Sequence, residues 1–214
     1  MRTTLRRLTV FQTLFAIMAV SWGTAGTIAQ AAPPTASDEV APVEPTGFDE
    51  VRGGQYNLFQ SPISQAVVLI FFGHDCPISN GYAPEISRIQ KEYSPKGIEL
   101  CVVYADPDLA RDDAREHAKD YSFDFPAILD PTLSLAARVG ATVKPEAAVL
   151  SPEGKLLYRG RIDNTYADLG KRRAAPTQRD LRDALDAILA GEPVSVPRTE
   201  ALGCDIDFSS QKKN

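Results

Sequence analysis

Residues 66–89, AVVLIFFGHDCPISNGYAPEISRI, decide the reading of this chain. Ala66 to Phe72 is an unbroken apolar run rich in β-branched and aromatic side chains. That is the pattern of a central strand covered on both faces. From about Ser79 to Tyr93 the period becomes helical, with Tyr82, Ile86, Ile89 and Tyr93 on one side. Cys76 stands at the junction. A helix amino terminus presents unpaired N–H groups and about half a positive charge. Both favour a thiolate over a thiol, and the thiolate is the nucleophile. Pro77 fits the first helical turn, where its missing N–H has no partner to lose. An inert cysteine closing a strand is the competing reading. The position nonetheless makes Cys76 the leading candidate for a catalytic group.

The elements on either side give a fold class. Gln55 to Phe59 is expected as a short edge strand, and Ile98 to Ala105 (IELCVVYA) as a second buried strand. Asp108 to Tyr121 reads as a charged helix with a narrow apolar stripe of Leu109, Ala110, Ala114 and Ala118. A short extended stretch, Pro126 to Leu129, precedes a short helix from Leu133 to Val139 closed by Gly140. Glu146 to Leu150 and Lys155 to Arg161 form a hairpin through Ser151-Pro152-Glu153-Gly154. Thr177 is expected to cap the last helix, which buries Leu181, Ala184, Leu185, Ile188 and Leu189 and ends at Gly191. Helical crossovers in the first half imply parallel strands, and the hairpin implies antiparallel ones. The expectation is an α/β domain: a central mixed β-sheet flanked by helices on both faces.

The amino terminus reads as an export signal. Arg2, Arg6 and Arg7 precede an apolar stretch from Leu8 to about Val20, and small residues end in Ala29-Gln30-Ala31. A retained membrane anchor is the alternative, but Thr9, Gln12, Thr13, Ser21 and Thr24 dilute the stretch. The expected organisation is a signal peptide over residues 1–31, a disordered linker over 32–46, one domain over 47–192 and an irregular tail over 193–214 that carries Cys204. The mature protein is then exported, periplasmic or extracytoplasmic, with no membrane contact after signal cleavage.

Net charge is −5 for the whole chain; without the leader, 20 basic residues face 28 acidic ones. Nucleic acid is excluded as a partner on this ground, since phosphate binding needs clustered Lys and Arg. There are three cysteines, Cys76, Cys101 and Cys204, so at least one is free or pairs with another molecule. Their spacings match no zinc pattern, and His74 and His117 stand apart in the sequence, so no metal is expected. Cys101, inside an apolar strand, reads as buried filler.

The segment FFGHDCPISNGYAPEISRI resembles the thioredoxin active site: a strand, Cys-x-x-Cys, then a helix with a proline eight residues after the first cysteine, here Pro84. Cys76 matches the attacking cysteine, while Ser79 stands where the second would be. Val143-Lys144-Pro145 matches the family's cis-proline loop, which implies a cis Pro145 packed beside Cys76. The resemblance thus implies a thioredoxin-like fold. A longer likeness rests on DCPISNGYAPE, YRGRIDNTY and the run from Ala175-Pro176-Thr177 through VPRTEALGC. These resemble bacterial redoxin-domain proteins of the alkyl-hydroperoxide-reductase and thiol-specific-antioxidant superfamily, which are often exported and sometimes joined to cytochrome c-like domains. There is no Cys-x-x-Cys-His here, so no haem and no other cofactor is expected.

The resemblance implies thiol chemistry, with a protein thiol, disulfide or peroxide as substrate and an external thiol as reductant. With Ser79 in place of a second cysteine, Cys76 needs another resolving thiol or an external one. The resembling proteins also carry a Gly-Cys here, so Cys204, in a tail expected to be flexible, is the candidate partner in a Cys76–Cys204 disulfide. A loose tail thiol, or one that pairs with another chain, is the alternative. Ser79 either donates to the Cys76 sulfur or is only a polar residue at a helix start. Peroxiredoxins carry Thr or Ser three residues before the reactive cysteine; here that residue is Gly73, and Asp75 beside Cys76 is expected to raise its pKa. A Cu(I) site of Cys76, Cys204 and His74 ranks last, because the usual Cys-x-x-x-Cys is absent. Arg161, Asp163, Asn164 and Tyr166 in GRIDNTY form either a structural turn or the rim of a substrate groove.

Overall fold

The computed structural model describes residues 42–44, 47–59, 61 and 63–209. The leader and most of the expected linker lie outside the described residues. In chain order the elements are β1 (Gly47–Asp49), β2 (Gln55–Asn57), β3 (Ala66–Phe72), α1 (Pro77–Tyr93), β4 (Ile98–Tyr104), α2 (Arg111–Asp120), β5 (Ala127–Leu129) and α3 (Ser134–Val139). There follow β6 (Val143–Lys144), β7 (Glu146–Leu150), β8 (Leu156–Gly160), β9 (Tyr166–Asp168), β10 (Lys171–Arg172), α4 (Asp180–Leu189) and β11 (Cys204–Asp205).

The central sheet runs β5-β4-β3-β7-β8. β3 lies parallel to β4, and β4 to β5, while β3–β7 and β7–β8 are antiparallel. This is the expected mixed sheet, and the fold is thioredoxin-like. All seven residues of β3 are buried. Alternate side chains serve opposite cores: Val68, Ile70 and Phe72 pack with Ile86 and Ile89 of α1 and Leu181 and Leu185 of α4. Val67, Leu69 and Phe71 pack with Leu135 and Val139 of α3. Each fully buried large apolar side chain contributes about 1.5–3 kcal/mol. The carboxyl end of β3, where Cys76 follows, is thereby held between two cores.

The structure departs from the sequence reading in several places. First, β2 pairs only with β1, in a hairpin outside the central sheet. Second, α2 starts at Arg111, since Asp108 is held in a turn by its N–H donating to the Asp106 carboxylate at 3.0 Å. Third, α4 starts at Asp180, not after a Thr177 cap. The Asn164 side chain accepts from the Thr177 and Gln178 amides at 2.8 and 3.1 Å, and the Leu181 amide donates to the Ile162 carbonyl at 3.1 Å. A distant loop therefore holds Thr177 and Gln178 outside the helix and accepts from the Leu181 amide in its first turn. Fourth, Val43, in the segment expected to be disordered, is buried and its N–H donates to the Gly154 carbonyl at 2.9 Å.

The largest difference is in the tail, which had been expected to be irregular and flexible. The Arg159 N–H donates to the Pro197 carbonyl at 3.0 Å, and the Thr199 N–H donates to the Arg159 carbonyl at 3.1 Å. Further on, β11 pairs antiparallel with β6, with Cys204 opposite Lys144 and Asp205 opposite Val143. Ile206 is buried in the α3-side core, and its N–H donates to the Thr142 carbonyl at 2.9 Å. Residues 197–206 thus form a strap anchored at both ends.

Candidate active site: a cysteine pair beneath the strap

Cys76 is the N-cap of α1, with extended backbone angles, and Pro77 follows in the first turn. The chain leaves a buried strand, turns through Gly73-His74-Asp75 and enters the helix within four residues, so the sulfur meets the open helix end. Cys76 is 1% exposed. Its Sγ–H donates to the Lys144 carbonyl at 3.3 Å. Lys144–Pro145 is the expected cis peptide bond, and the carbonyl that precedes Pro145 is the one the sulfur meets.

Burial pushes the Cys76 thiol up, but several donors to the sulfur outweigh it: the Cys204 thiol, the Ser79 amide and hydroxyl, and the Ile78 amide. The net direction is downward. On ionisation the bond to the Lys144 carbonyl is lost, whereas these four donors remain and shorten toward the anion. Ser79 is fully buried, and its Oγ also accepts from the Gly73 N–H at 3.2 Å. One hydroxyl therefore ties the loop before Cys76 to the helix after it. Asp75 was expected to raise the Cys76 pKa. Its side chain is 77% exposed, and its charge bears on Cys204 instead.

Cys204 has the opposite character. Its thiol is pushed up to about 11 by burial, by its hydrogen bond to Cys76 and by the charges of Cys76 and Asp75. The pair shares its protons unequally: Cys76 ionises first and Cys204 keeps its hydrogen to donate. Gly203 permits the approach, because a Cβ there would lie 2.1 Å from the Lys144 carbonyl oxygen. Cys101 lies in the middle of β4, fully buried, and burial drives its thiol far upward.

Residues not singled out in the sequence hold the loop. The Tyr104 hydroxyl lies 2.7 Å from His117 Nδ1, and His117 Nε2 lies 3.0 Å from Asn80 Oδ1. The Asn80 amide donates to the His74 carbonyl at 3.1 Å. With the amide oxygen of Asn80 facing His117, the consistent assignment puts the proton on Nε2 and leaves Nδ1 to accept from Tyr104. His117 stays neutral, its pKa lowered to about 4 by burial and by the charge of His74. The two histidines, far apart in the sequence, thus meet near the site, with ring centroids 6.4 Å apart. The sequence signal was slight: a tyrosine closing a strand and a histidine on the next helix.

GRIDNTY is both a structural turn and a groove wall. Arg161 makes a paired contact with Asp180, at 2.7 and 3.0 Å. Asp163 accepts from the Tyr82 hydroxyl and the Thr165 amide, each at 2.7 Å. Beside Pro145 lies a groove of about 240 Å³ lined by Tyr82, Arg161, Ile162, Tyr166 and Leu202 among others. Gly73, at the position where a peroxiredoxin hydroxyl is expected, leaves no room for a side chain: a Cβ would stand 2.9 Å from that of Cys76. Among the described residues, no group of three His, Cys, Asp or Glu side chains is assembled that could hold a metal ion.

A search of curated proteins finds no match. Among solved structures, an uncharacterized conserved protein from Geobacillus kaustophilus matches with a TM-score of 0.69 and 24% identity, covering 80% of this chain and 92% of that one. A hypothetical protein from Sinorhizobium meliloti 1021 matches with a TM-score of 0.68 and 23% identity, covering 80% and 93%. The peroxidoxin BcpB from Mycobacterium tuberculosis matches with a TM-score of 0.51 and 17% identity, covering 71% and 94%. These likenesses bear on the fold. The Redoxin family profile matches residues 35–171, a span that includes Cys76, Ser79 and Pro145 and stops short of α4 and the strap. The chain belongs to the Redoxin family.

Proposed function

We propose that this protein is an exported thiol–disulfide oxidoreductase in which Cys76 and Cys204 cycle between a dithiol and an intramolecular disulfide. The observation that carries this is that both cysteines meet at Lys144: the Cys76 thiol donates to its carbonyl at 3.3 Å and Cys204 pairs opposite it on β11, an arrangement in which one pKa is lowered and the other raised. In the reducing direction a protein disulfide gains two electrons, the Cys76–Cys204 disulfide forms, and an external thiol restores the pair. Ser79 and Pro145 position Cys76; neither changes bonding. The leader pattern over residues 1–31 supports export, and export places the pair where a disulfide persists. The fit of Gly73 against Cys76 favours disulfide over peroxide as the substrate.

The test is non-reducing peptide mapping of the oxidised protein, together with a disulfide-reduction assay on insulin. A Cys76–Cys204 link and turnover lost in both Cys76→Ser and Cys204→Ser support the reading. Oxidised protein without that link, or turnover that survives Cys76→Ser, contradicts it.

A further inference from the structure

In the usual thioredoxin arrangement the cysteine at the helix start meets the partner. The strap changes which sulfur can be reached here. Cys76 is 1% exposed, whereas Cys204, on the strap, is exposed. The strap is fixed on both sides, at Thr199 through the Arg159 backbone and the Tyr158 hydroxyl (2.7 Å), and at Ile206 in the core. We infer that an external thiol enters the cycle at the Cys204 sulfur and not at Cys76, so that the mixed disulfide with the partner forms on the strap.

This inference rests on the disulfide proposed above, and it follows from the line of attack. A thiolate displaces one sulfur of a disulfide by approaching the other along the S–S axis, from the far side. The far side of Cys76 is filled by the helix end, Ser79 and the Lys144 carbonyl. Cys204 is exposed on the strap, which leaves its sulfur open to approach from solvent. The leaving group is then the sulfur whose anion is met by the Ser79 amide and hydroxyl and by the Ile78 amide. In the first step a partner thiolate bonds to Cys204 Sγ, the Cys76–Cys204 bond breaks, and Cys76 departs as a thiolate. In the second, another partner thiolate attacks the partner's sulfur in the adduct. A partner disulfide forms, and Cys204 leaves as a thiolate that takes up a proton. Two thiols are oxidised and one protein disulfide is reduced.

The experiment uses the full mature chain, oxidised, with the Cys76–Cys204 link first verified by peptide mapping. Limiting glutathione is added as the probe, the reaction is quenched within its first turnover with N-ethylmaleimide, and the adducts are located by mass spectrometry. The expected result is glutathione on Cys204 and maleimide on Cys76, in about tenfold excess or more over the reverse. In Gly203→Val, where the added side chain meets the Lys144 carbonyl, the strap lifts and glutathione is found on both sulfurs. Adducts on Cys76, or evenly divided in the wild type, overturn the inference and leave the disulfide proposal standing. A missing Cys76–Cys204 link at the outset overturns the disulfide proposal instead. Exclusive labelling of Cys204 in a folded Gly203→Val overturns the role given to the strap.

Discussion

Cys76 follows β3 at the start of α1, Cys101 lies in the middle of the neighbouring parallel strand β4, and both are almost completely buried. Their thiols move in opposite directions. Burial raises Cys101 far above the ordinary range, while Cys76 falls below it. Both are shielded from solvent, but Cys101 is the more deeply buried, and only at Cys76 do local donors outweigh burial. Cys101 lies in the regular ladder, where the Ile128 amide is outweighed by burial and by the charge of Glu50. Cys76 stands where the chain has left one ladder and the next helix has amides to offer. A reactive cysteine in this fold is a strand residue displaced by a few positions onto a helix end.

The comparison breaks most readily by removing each sulfur. Cys76→Ser is expected to abolish disulfide reduction, a loss of at least about a hundredfold, because no other thiol has both donors and position. Cys101→Ala is expected to leave turnover within about twofold, since the change affects packing alone. Insulin reduction measures both, and equal losses would erase the contrast.

How much of this was legible in the sequence follows the range of the interactions. The β3–Cys76–α1 unit is local: an apolar run, Pro77 and a change of period within 24 residues specify it. The cis bond before Pro145 was accessible only through resemblance, since nothing in Val-Lys-Pro by itself selects the isomer. The strap was not legible. Its pairing with β6 is two residues long, too short for periodicity, and joins positions some sixty residues apart. Cys204 was identified as a chemical partner, but its fixed seat depends on Ile206 finding a core built by α3. The start of α4 was misread for the same reason. Thr177 is a good cap by composition, but Asn164, from a distant loop, takes the Thr177 and Gln178 amides.

Ser79 sharpens the contrast between the two cysteines. Ser79→Ala removes one donor to the Cys76 sulfur and the tie to Gly73, so the Cys76 pKa is expected to rise and the neutral-pH rate to fall several-fold. The rate-versus-pH curve separates this from a loss of fold, since activity should recover at high pH. A rate reduced equally at every pH would contradict the assignment.

The network behind the loop carries a pH signature of its own. His117 titrates near 4 in the folded protein, against 6.5 for an unperturbed ring. Between those values the unfolded chain binds the proton and the folded one does not, so stability falls as pH drops from about 6.5 to 4. The full shift corresponds to about 3 kcal/mol, which solvent screening of a half-exposed ring reduces to on the order of 2 kcal/mol, and His117→Gln should remove this part of the dependence in denaturant titrations. An unchanged slope would place the proton elsewhere.

The smallest effect expected is electrostatic. Asp75, Asp205 and Asp207 are exposed near Cys204. A cationic thiol such as cysteamine should therefore reduce the disulfide about two- to threefold faster than an anionic one of similar thiol pKa, a preference lost in high salt.

The most direct measurement is the pH titration of thiolate ultraviolet absorbance in reduced protein, with Cys76→Ser and Cys204→Ser alongside. The account predicts one transition below the ordinary thiol range that vanishes in Cys76→Ser and moves upward in Cys204→Ser, where a donor to the Cys76 sulfur is lost. A Cys76 transition at or above the ordinary range, unmoved by the loss of Cys204, would contradict it.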